Sequence, residues 1–162
     1  MRKLLLIIDV QNDFINDNTK DYVAKIEKLI NSNKFDDIVF TKFINNENSK
    51  WYKELNYKGC IDQQGQDIVI DTREHKVFEK TGYSSLNDEL RKYIKEKDIK
   101  QIYLCGFDTD ACVQKTALDL FENNYDVYVL KDYCMCSSGV ELHNIIINNL
   151  KRLIGKDKII GD

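Results

Sequence analysis

The sequence predicts an α/β fold in which a parallel β-sheet is covered by helices on both faces. Three observations support this prediction. Short apolar runs alternate along the chain with segments of helical periodicity. The runs at residues 4–10 and 101–107 are almost continuously apolar, which is typical of strands buried on both faces. Strands that alternate with helices favour parallel pairing, because each crossover helix returns the chain to the same edge of the sheet.

Five apolar runs are predicted to be strands, and the intervals between them to be helices. The predicted strands lie at residues 4–10, 37–43, around 77–78, 101–107 and 126–130. Apolar residues three or four apart, which mark one face of a helix, occur in residues 22–30, 86–94, 113–121 and 142–153. The irregular part is residues 45–65, with one short helix predicted near residues 50–55. No repeat or linker interrupts the pattern, so residues 1–162 are predicted to form one domain.

The composition is that of an ordinary globular domain. Of the 162 residues, 43% are hydrophobic and 31% are charged, which is enough to bury one core and to cover it. The net charge of -3 argues against nucleic acid as a partner, because phosphate binding needs a basic surface. The apolar runs are too short for a membrane span, and the start MRKLLLIIDV lacks a signal-peptide cleavage site. An odd number of cysteines, five, then favours reduced thiols and a cytoplasmic location.

Three chemically active side chains are predicted to meet at one edge of the sheet. Asp9 ends the first run, Lys80 ends the third, and Cys112 follows the fourth run at the start of a helix. Ligands bind such sheets beyond the carboxyl ends of the strands, so these three residues should converge there. Gly106 is predicted to make the turn into the helix, and Asp108 or Thr109 to cap it.

This trio suits nucleophilic catalysis. The N-terminus of a helix and a nearby Lys80 should lower the pKa of the Cys112 thiol, and free N–H groups there can hold an oxyanion. Asp9 could take the thiol proton and later deliver it to a leaving group. A structural alternative remains open for each residue: Cys112 as packing, Asp9 as the cap of a turn, and Lys80 as a surface charge.

Three stretches of the sequence resemble the isochorismatase-like cysteine hydrolases. LLIIDVQNDF, at residues 5–14, is similar to the opening motif of that family, and KTGYSSL, at residues 80–86, to its lysine motif. GFDTDACVQKTALDLFENNYDVYVLKDYC, at residues 106–134, is similar to its cysteine motif and the strand that follows. The motifs occur in the family's order and span nearly the whole chain.

The resemblance implies a doubly wound, mainly parallel six-stranded sheet with helices on both faces, a Rossmann-like three-layer sandwich. It implies Asp9, Lys80 and Cys112 as the catalytic triad. It also implies a cis peptide bond between Phe107 and Asp108, and an oxyanion hole made by the backbone N–H groups of Asp108 and Cys112. The implied reaction is hydrolysis of a C–N bond in a small amide or carbamoyl substrate through a thioester. A homo-oligomer, a dimer or a tetramer, is implied as well.

Three departures from members of the family narrow the implied function. Isochorismatases of the vinyl-ether type lack the cysteine, so Cys112 favours C–N hydrolysis. Nicotinamidases bind a metal through histidines before the lysine motif, whereas FINNENSKWYKELNYKGC, at residues 43–60, has none. His75 and His143 are interpreted as structural or exposed, so no catalytic metal and no other cofactor is predicted. Asp108 replaces a common alanine, and its carboxylate could raise the thiol pKa or bind a substrate amine.

Aromatic residues near the three motifs are predicted to line a substrate pocket. They are Phe14, Trp51, Tyr83 and Phe107, and Trp51 could instead pack a loop onto the core or onto a partner subunit. Gln11 is predicted to contact substrate or to orient Asp9.

The remaining cysteines receive structural interpretations. Cys105 lies within a predicted strand, Cys60 in a loop, and the pair Cys134 and Cys136 lacks the further ligands that a zinc site needs. Three alternative functions stay open: a ligand-binding protein without turnover, a nicotinamidase-like activity, and a redox protein. The redox protein would use Cys112 with Cys134 or Cys136 as the resolving thiol.

Overall fold

A computed structural model, which describes residues 1–161, contains a six-stranded sheet in which every pair of neighbouring strands is parallel. The strands are β1 (Lys3–Ile8), β2 (Asp37–Phe43), β3 (Lys76–Lys80), β4 (Gln101–Phe107), β5 (Asp126–Met135) and β6 (Ile159–Ile160). Their spatial order is β3-β2-β1-β4-β5-β6, so the winding direction reverses between β1 and β4. The predicted doubly wound α/β fold is therefore confirmed.

Within residues 1–161, six α-helices accompany the sheet. They are α1 (Lys20–Ile30), α2 (Lys50–Lys53), α3 (Gln63–Gln66), α4 (Asp88–Glu96), α5 (Gln114–Glu122) and α6 (Val140–Ile154). Among residues 1–161 no helix has the length and apolarity that crossing a bilayer requires.

β1 is the centre of the core. Its sequence KLLLII is fully buried from Leu4 to Ile8, and it pairs with β2 on one side and β4 on the other. Leu6 lies opposite Val39 and Leu104, so one buried row continues across β2, β1 and β4. Each fully buried leucine or isoleucine contributes about 1.5–3 kcal/mol of hydrophobic stabilisation. This burial on both faces explains why the run is continuously apolar.

The structure corrects several of the predicted element bounds. β1 ends at Ile8 because Asp9 takes a left-handed conformation with φ 50°. β5 continues past residue 130 to Met135, since pairing with β4 resumes beyond an irregularity between Leu104 and Gly106. The short β6 and α3 were not located from the sequence, because two and four residues are too few for a detectable period.

Gly106 fixes how closely β4 approaches β1. Its φ is +115°, and a Cβ built there would lie 2.1 Å from the carbonyl oxygen of Ile8. Only glycine fits both the conformation and the space. This contact brings the end of β1, and hence Asp9, beside the turn that carries Cys112.

Candidate active site

Asp9, Lys80 and Cys112 meet at the carboxyl edge of the sheet. Asp9 follows β1, Lys80 is the last residue of β3, and Cys112 lies in a π-helical turn, Thr109–Val113, between β4 and α5. The Lys80 Nζ atom is 2.7 Å from the Asp9 Oδ2 atom and 3.4 Å from the Cys112 Sγ atom. All three residues are almost completely shielded from solvent, at 0%, 5% and 6% exposure. The convergence expected from topology is present, and the catalytic role of the three residues stays a prediction.

Lys80 is held as a buried cation. Its Nζ atom also donates to the carbonyl oxygens of Gly82 at 2.7 Å and Tyr83 at 3.0 Å. Burial by itself lowers the pKa of this ammonium group, but the Asp9 carboxylate and the Cys112 thiol outweigh it, so the pKa of Lys80 is raised. The lysine therefore keeps its charge beside the sulfur.

Thr41 orients Asp9, and this role was not predicted from the sequence. The Thr41 Oγ1 atom donates to the Asp9 Oδ1 atom at 2.8 Å, and both residues are buried. Thr41 lies opposite Ile8, at the end of β1, in a strand that is otherwise mostly apolar. A polar residue within a buried strand is a signal that could have identified it, because a buried hydroxyl needs a partner.

The Cys112 thiol has a pKa well above its ordinary value, which is opposite to the expected lowering. Burial is the largest cause, and the Asp9 carboxylate raises the pKa further, whereas Lys80 opposes the shift. Cys112 also lies before α5, which begins at Gln114, and not in its first turn. The resting sulfur is therefore a thiol that must pass its proton to a base before it can attack.

The side chain of Asp108 binds Ser137 and does not cap the helical turn. The Asp108 Oδ1 atom accepts from the Ser137 N–H at 2.9 Å, and the Oδ2 atom accepts from the Ser137 hydroxyl at 2.6 Å. The Ser137 carbonyl in turn accepts from the side chains of Asn16 and Asn18, each at 2.9 Å. Burial raises the pKa of Asp108 to about 6, although the Ser137 bonds oppose this. The expected cap is thus replaced by a bridge between three loops.

Thr109, the other candidate cap, is also engaged elsewhere. Its Oγ1 atom lies 2.8 Å from the His143 Nδ1 atom, so α6 contacts the turn that holds Cys112. Burial lowers the pKa of His143. The structural role expected for His143 fits this buried contact.

The backbone around Asp108 has the conformation that the resemblance implied. The peptide bond between Phe107 and Asp108 is cis. Within the described chain, the amides of Asp108 and Cys112 donate no hydrogen bond to an acceptor outside their own helical turn. The predicted oxyanion hole at these two amides stays a prediction.

A cavity of about 310 Å³ opens onto Cys112. Five residues singled out from the sequence line it, namely Phe14, Trp51, Tyr83, Asp108 and Cys112. Four further lining residues were missed, namely Phe43, Leu55, Tyr57 and Ala111. Leu55 and Tyr57 lie in the irregular segment, where no period indicates which side chains turn inward. A larger cleft of about 650 Å³ lies between α1 and residues 70–75, and no member of the triad lines it.

Two residues predicted for the pocket do not line it. Gln11 is fully buried, and its side-chain amide bonds to the backbone of Phe43 and Gln66, so this side chain reaches neither the cavity nor the Asp9 carboxylate. Its backbone N–H donates to the Asp9 carbonyl oxygen at 2.9 Å. Phe107 is fully buried in the hydrophobic core. Sequence places both residues at strand ends but does not decide to which side they turn.

The remaining cysteines are buried and none lines the cavity. Cys105 and Cys134 are packed in the core, and burial raises the pKa of Cys136 and of Cys60 to about 12. Within residues 1–161, no group of three or more His, Cys, Asp or Glu side chains is arranged to hold a metal ion. The donors of a metal centre are thus not assembled there, and metal-independent chemistry stays a prediction.

The chain is similar to known proteins over most of its length. The model of the isochorismatase domain matches residues 3–156. The chain belongs to the isochorismatase family. Isochorismatase family proteins 1A and 2A of Dictyostelium discoideum are 30% and 32% identical over 134 and 139 residues. Those matches cover 80% and 79% of this chain but only 61% and 64% of the relatives, so the chain spans about three fifths of their length.

Solved structures share the isochorismatase-family fold at low sequence identity. An isochorismatase-like hydrolase from Alkaliphilus metalliredigens has a TM-score of 0.84 at 21% identity, covering 99% of this chain and 95% of its own. The yeast nicotinamidase bound to the inhibitor nicotinaldehyde has a TM-score of 0.85 at 19% identity, covering 99% and 100%. N-carbamoylsarcosine amidase from Thermoplasma acidophilum has a TM-score of 0.81 at 18% identity, covering 100% and 96%. At these identities the likeness establishes the fold alone.

Proposed function

We propose that this isochorismatase-family chain is a metal-independent cysteine hydrolase that cleaves a C–N bond of a small amide or carbamoyl compound. The observation that carries the proposal is the contact of Cys112 with the buried Lys80–Asp9 ion pair at the floor of a cavity. A nucleophile beside a base, with a cation next to both, is the arrangement that covalent catalysis needs. The names of two structural neighbours, a nicotinamidase and a carbamoylsarcosine amidase, are consistent with it.

The first half-reaction forms a thioester. Asp9 accepts the Cys112 proton, and the sulfur attacks the carbonyl carbon while the positive charge of Lys80 stabilises the developing thiolate. The carbonyl oxygen becomes an oxyanion that the amides of Asp108 and Cys112 would stabilise. As the intermediate collapses, the C–N bond breaks and Asp9 returns its proton to the departing nitrogen. Ammonia or an amine leaves, and the acyl group stays on Cys112.

The second half-reaction hydrolyses the thioester. Asp9, again ionised, takes a proton from a water molecule whose oxygen attacks the acyl carbon. The C–S bond breaks, the acid is released, and the sulfur recovers its proton. Thr41 keeps the Asp9 carboxylate in one orientation through both steps because it donates to the Oδ1 atom.

Ammonia release from a panel of small amides tests this function. We expect turnover by the wild type, none by Cys112→Ala, and an acyl adduct on Cys112 in the intact mass after rapid acid quench. Ser138→Ala is a matched control, because this exposed serine lies outside the site. Equal rates for the wild type and Cys112→Ala would refute the mechanism. Ligand binding without hydrolysis would favour a binding protein, and a Cys112–Cys134 or Cys112–Cys136 disulfide after mild peroxide treatment would favour a redox protein.

A further inference from the structure

We infer that the cavity above Cys112 selects small, planar, uncharged amides and rejects amides that carry a carboxylate. This inference rests on the proposed function and narrows its substrate class. It follows from three features of the cavity, namely its aromatic walls, the lack of an available cation, and the carboxylate of Asp108, which forms no ion pair with the residues that the structure describes.

The walls are aromatic and their rings are fixed by mutual contacts. Phe14 and Tyr57 are nearly parallel, with ring centroids 6.4 Å apart and planes 9° apart. Trp51 meets Tyr83 edge to face, with centroids at 5.1 Å. Rings held in this way favour a flat substrate whose π-face or edge can pack against them. A volume of about 310 Å³ suits a substrate with a single ring.

No cation is available to a carboxylate in the cavity. Among the lining residues that the structure describes, none is Lys, Arg or His. Lys80 contacts Cys112, but its Nζ atom also contacts Asp9 and the carbonyl oxygens of Gly82 and Tyr83. An ammonium group has three donors, so these partners take up its hydrogen-bonding capacity.

Asp108 adds a negative charge to the wall. Both of its carboxylate oxygens accept from Ser137, and none of the ion pairs within residues 1–161 includes it. Its pKa of about 6 leaves it ionised in neutral or slightly alkaline buffer. The other charged groups that influence it are Asp110 and Asp9, which are also acidic. A substrate carboxylate would therefore meet a like charge without compensation.

Three amides that differ at one substituent test the inference. They are benzamide, 3-acetylbenzamide and 3-carbamoylbenzoate, of which the second is a neutral match in size for the third. We expect the kcat/KM of the wild type to be at least about tenfold lower for 3-carbamoylbenzoate than for 3-acetylbenzamide, because like charges are rejected. Equal values for these two amides, or a preference for the carboxylate, would overturn the inference.

A variant at the rim of the cavity tests whether charge causes the selection against carboxylates. Leu55 is 62% exposed, so a polar side chain should fit there without disturbing the core. Leu55→Lys should raise the kcat/KM for 3-carbamoylbenzoate relative to 3-acetylbenzamide by about tenfold, and the uncharged control Leu55→Gln should leave the ratio unchanged. If the two variants shift the ratio equally, charge is not the basis of selection.

Binding to Cys112→Ala separates this inference from the proposed function. Calorimetry with the same amides does not need turnover, and the neutral amides should bind more tightly than 3-carbamoylbenzoate. Tighter binding of neutral amides together with a wild type that hydrolyses none of them would sustain the inference and refute the hydrolase. Hydrolysis of all three amides at similar rates, with similar binding, would sustain the hydrolase and refute the inference.

Discussion

At the scale of single residues, Asp9 controls the proton on Cys112. Its Oδ2 atom is paired with Lys80, its Oδ1 atom accepts from Thr41, and its negative charge raises the pKa of the thiol. The same carboxylate that suppresses the resting thiolate is therefore the base that the proposed reaction needs. This arrangement predicts that reactivity toward an alkylating reagent and hydrolytic activity respond oppositely to loss of Asp9.

Asp9→Asn should abolish hydrolysis but accelerate alkylation of Cys112. Removing the charge lowers the pKa of the thiol, and a thiolate then becomes the counterion of Lys80. At neutral pH the rate of modification by iodoacetamide should rise by about tenfold or more, since the thiolate is the reacting species. Peptide mass mapping measures the rate at Cys112 separately from the four other buried cysteines.

Lys80→Met should have the opposite effect on the alkylation of Cys112. Loss of the cation raises the pKa of Cys112, so alkylation should become slower than in the wild type. Slower modification in Asp9→Asn, or faster modification in Lys80→Met, would contradict the electrostatic account.

The sequence was a good guide to which residues lie at strand ends and a poor guide to side-chain direction. Asp9, Lys80 and Cys112 could be placed together because parallel strands end at one edge. Gln11 and Phe107 were wrongly placed in the pocket, since sequence does not reveal which way a side chain turns after a strand. The raised pKa of Cys112 could not be predicted either, because it depends on burial and on the Asp9 distance.

At the scale of elements, the junction of β1 and β4 determines where the site lies. Both strands are almost continuously apolar, so the sequence identifies them as strands buried on both faces. From the sequence, Gly106 could be predicted only to make a turn. Its close approach to β1 could not be predicted, because the Ile8 carbonyl that excludes a Cβ atom is distant in sequence. The length of β5 and the existence of β6 depend on backbone pairing and carry little local signal.

Gly106→Ala should destabilise the protein by about 2–4 kcal/mol, because alanine must adopt a positive φ and its Cβ would overlap the Ile8 backbone. Urea denaturation followed by circular dichroism measures this change. Gly82→Ala is the control, since a Cβ there meets nothing within 4 Å. If both substitutions cost the same free energy, the close approach of β1 and β4 is not a constraint on the fold.

At the scale of the whole molecule, Asp108 is part of a hydrogen-bonded bridge that connects three loops. The turn after β4 is joined to the loop after β5 through Ser137, and that loop is joined to Asn16 and Asn18 before α1. A partly buried carboxylate at the centre of this bridge ties the stability of the fold to pH. The sequence indicated that Asp108 was unusual, but its partner, 29 residues away, became evident only in the structure.

The free energy of unfolding of the wild type should change with pH relative to that of Asp108→Asn, because only the wild type carries this carboxylate. Because its pKa is about 6 in the fold against an ordinary 3.8, the folded protein binds the proton more tightly than the unfolded chain does. The wild type therefore loses stability relative to Asp108→Asn as pH rises from about 4 to about 6, and the difference levels off above that range. The change in this difference in free energy of unfolding should approach, at most, about 3 kcal/mol.

Urea denaturation of both proteins between about pH 4 and pH 6 measures this change, with Ser138→Ala as a control that adds or removes no titrating group. If the difference in free energy of unfolding is constant, or if the wild type gains stability relative to Asp108→Asn as pH rises, the pKa of Asp108 is not raised in the folded protein.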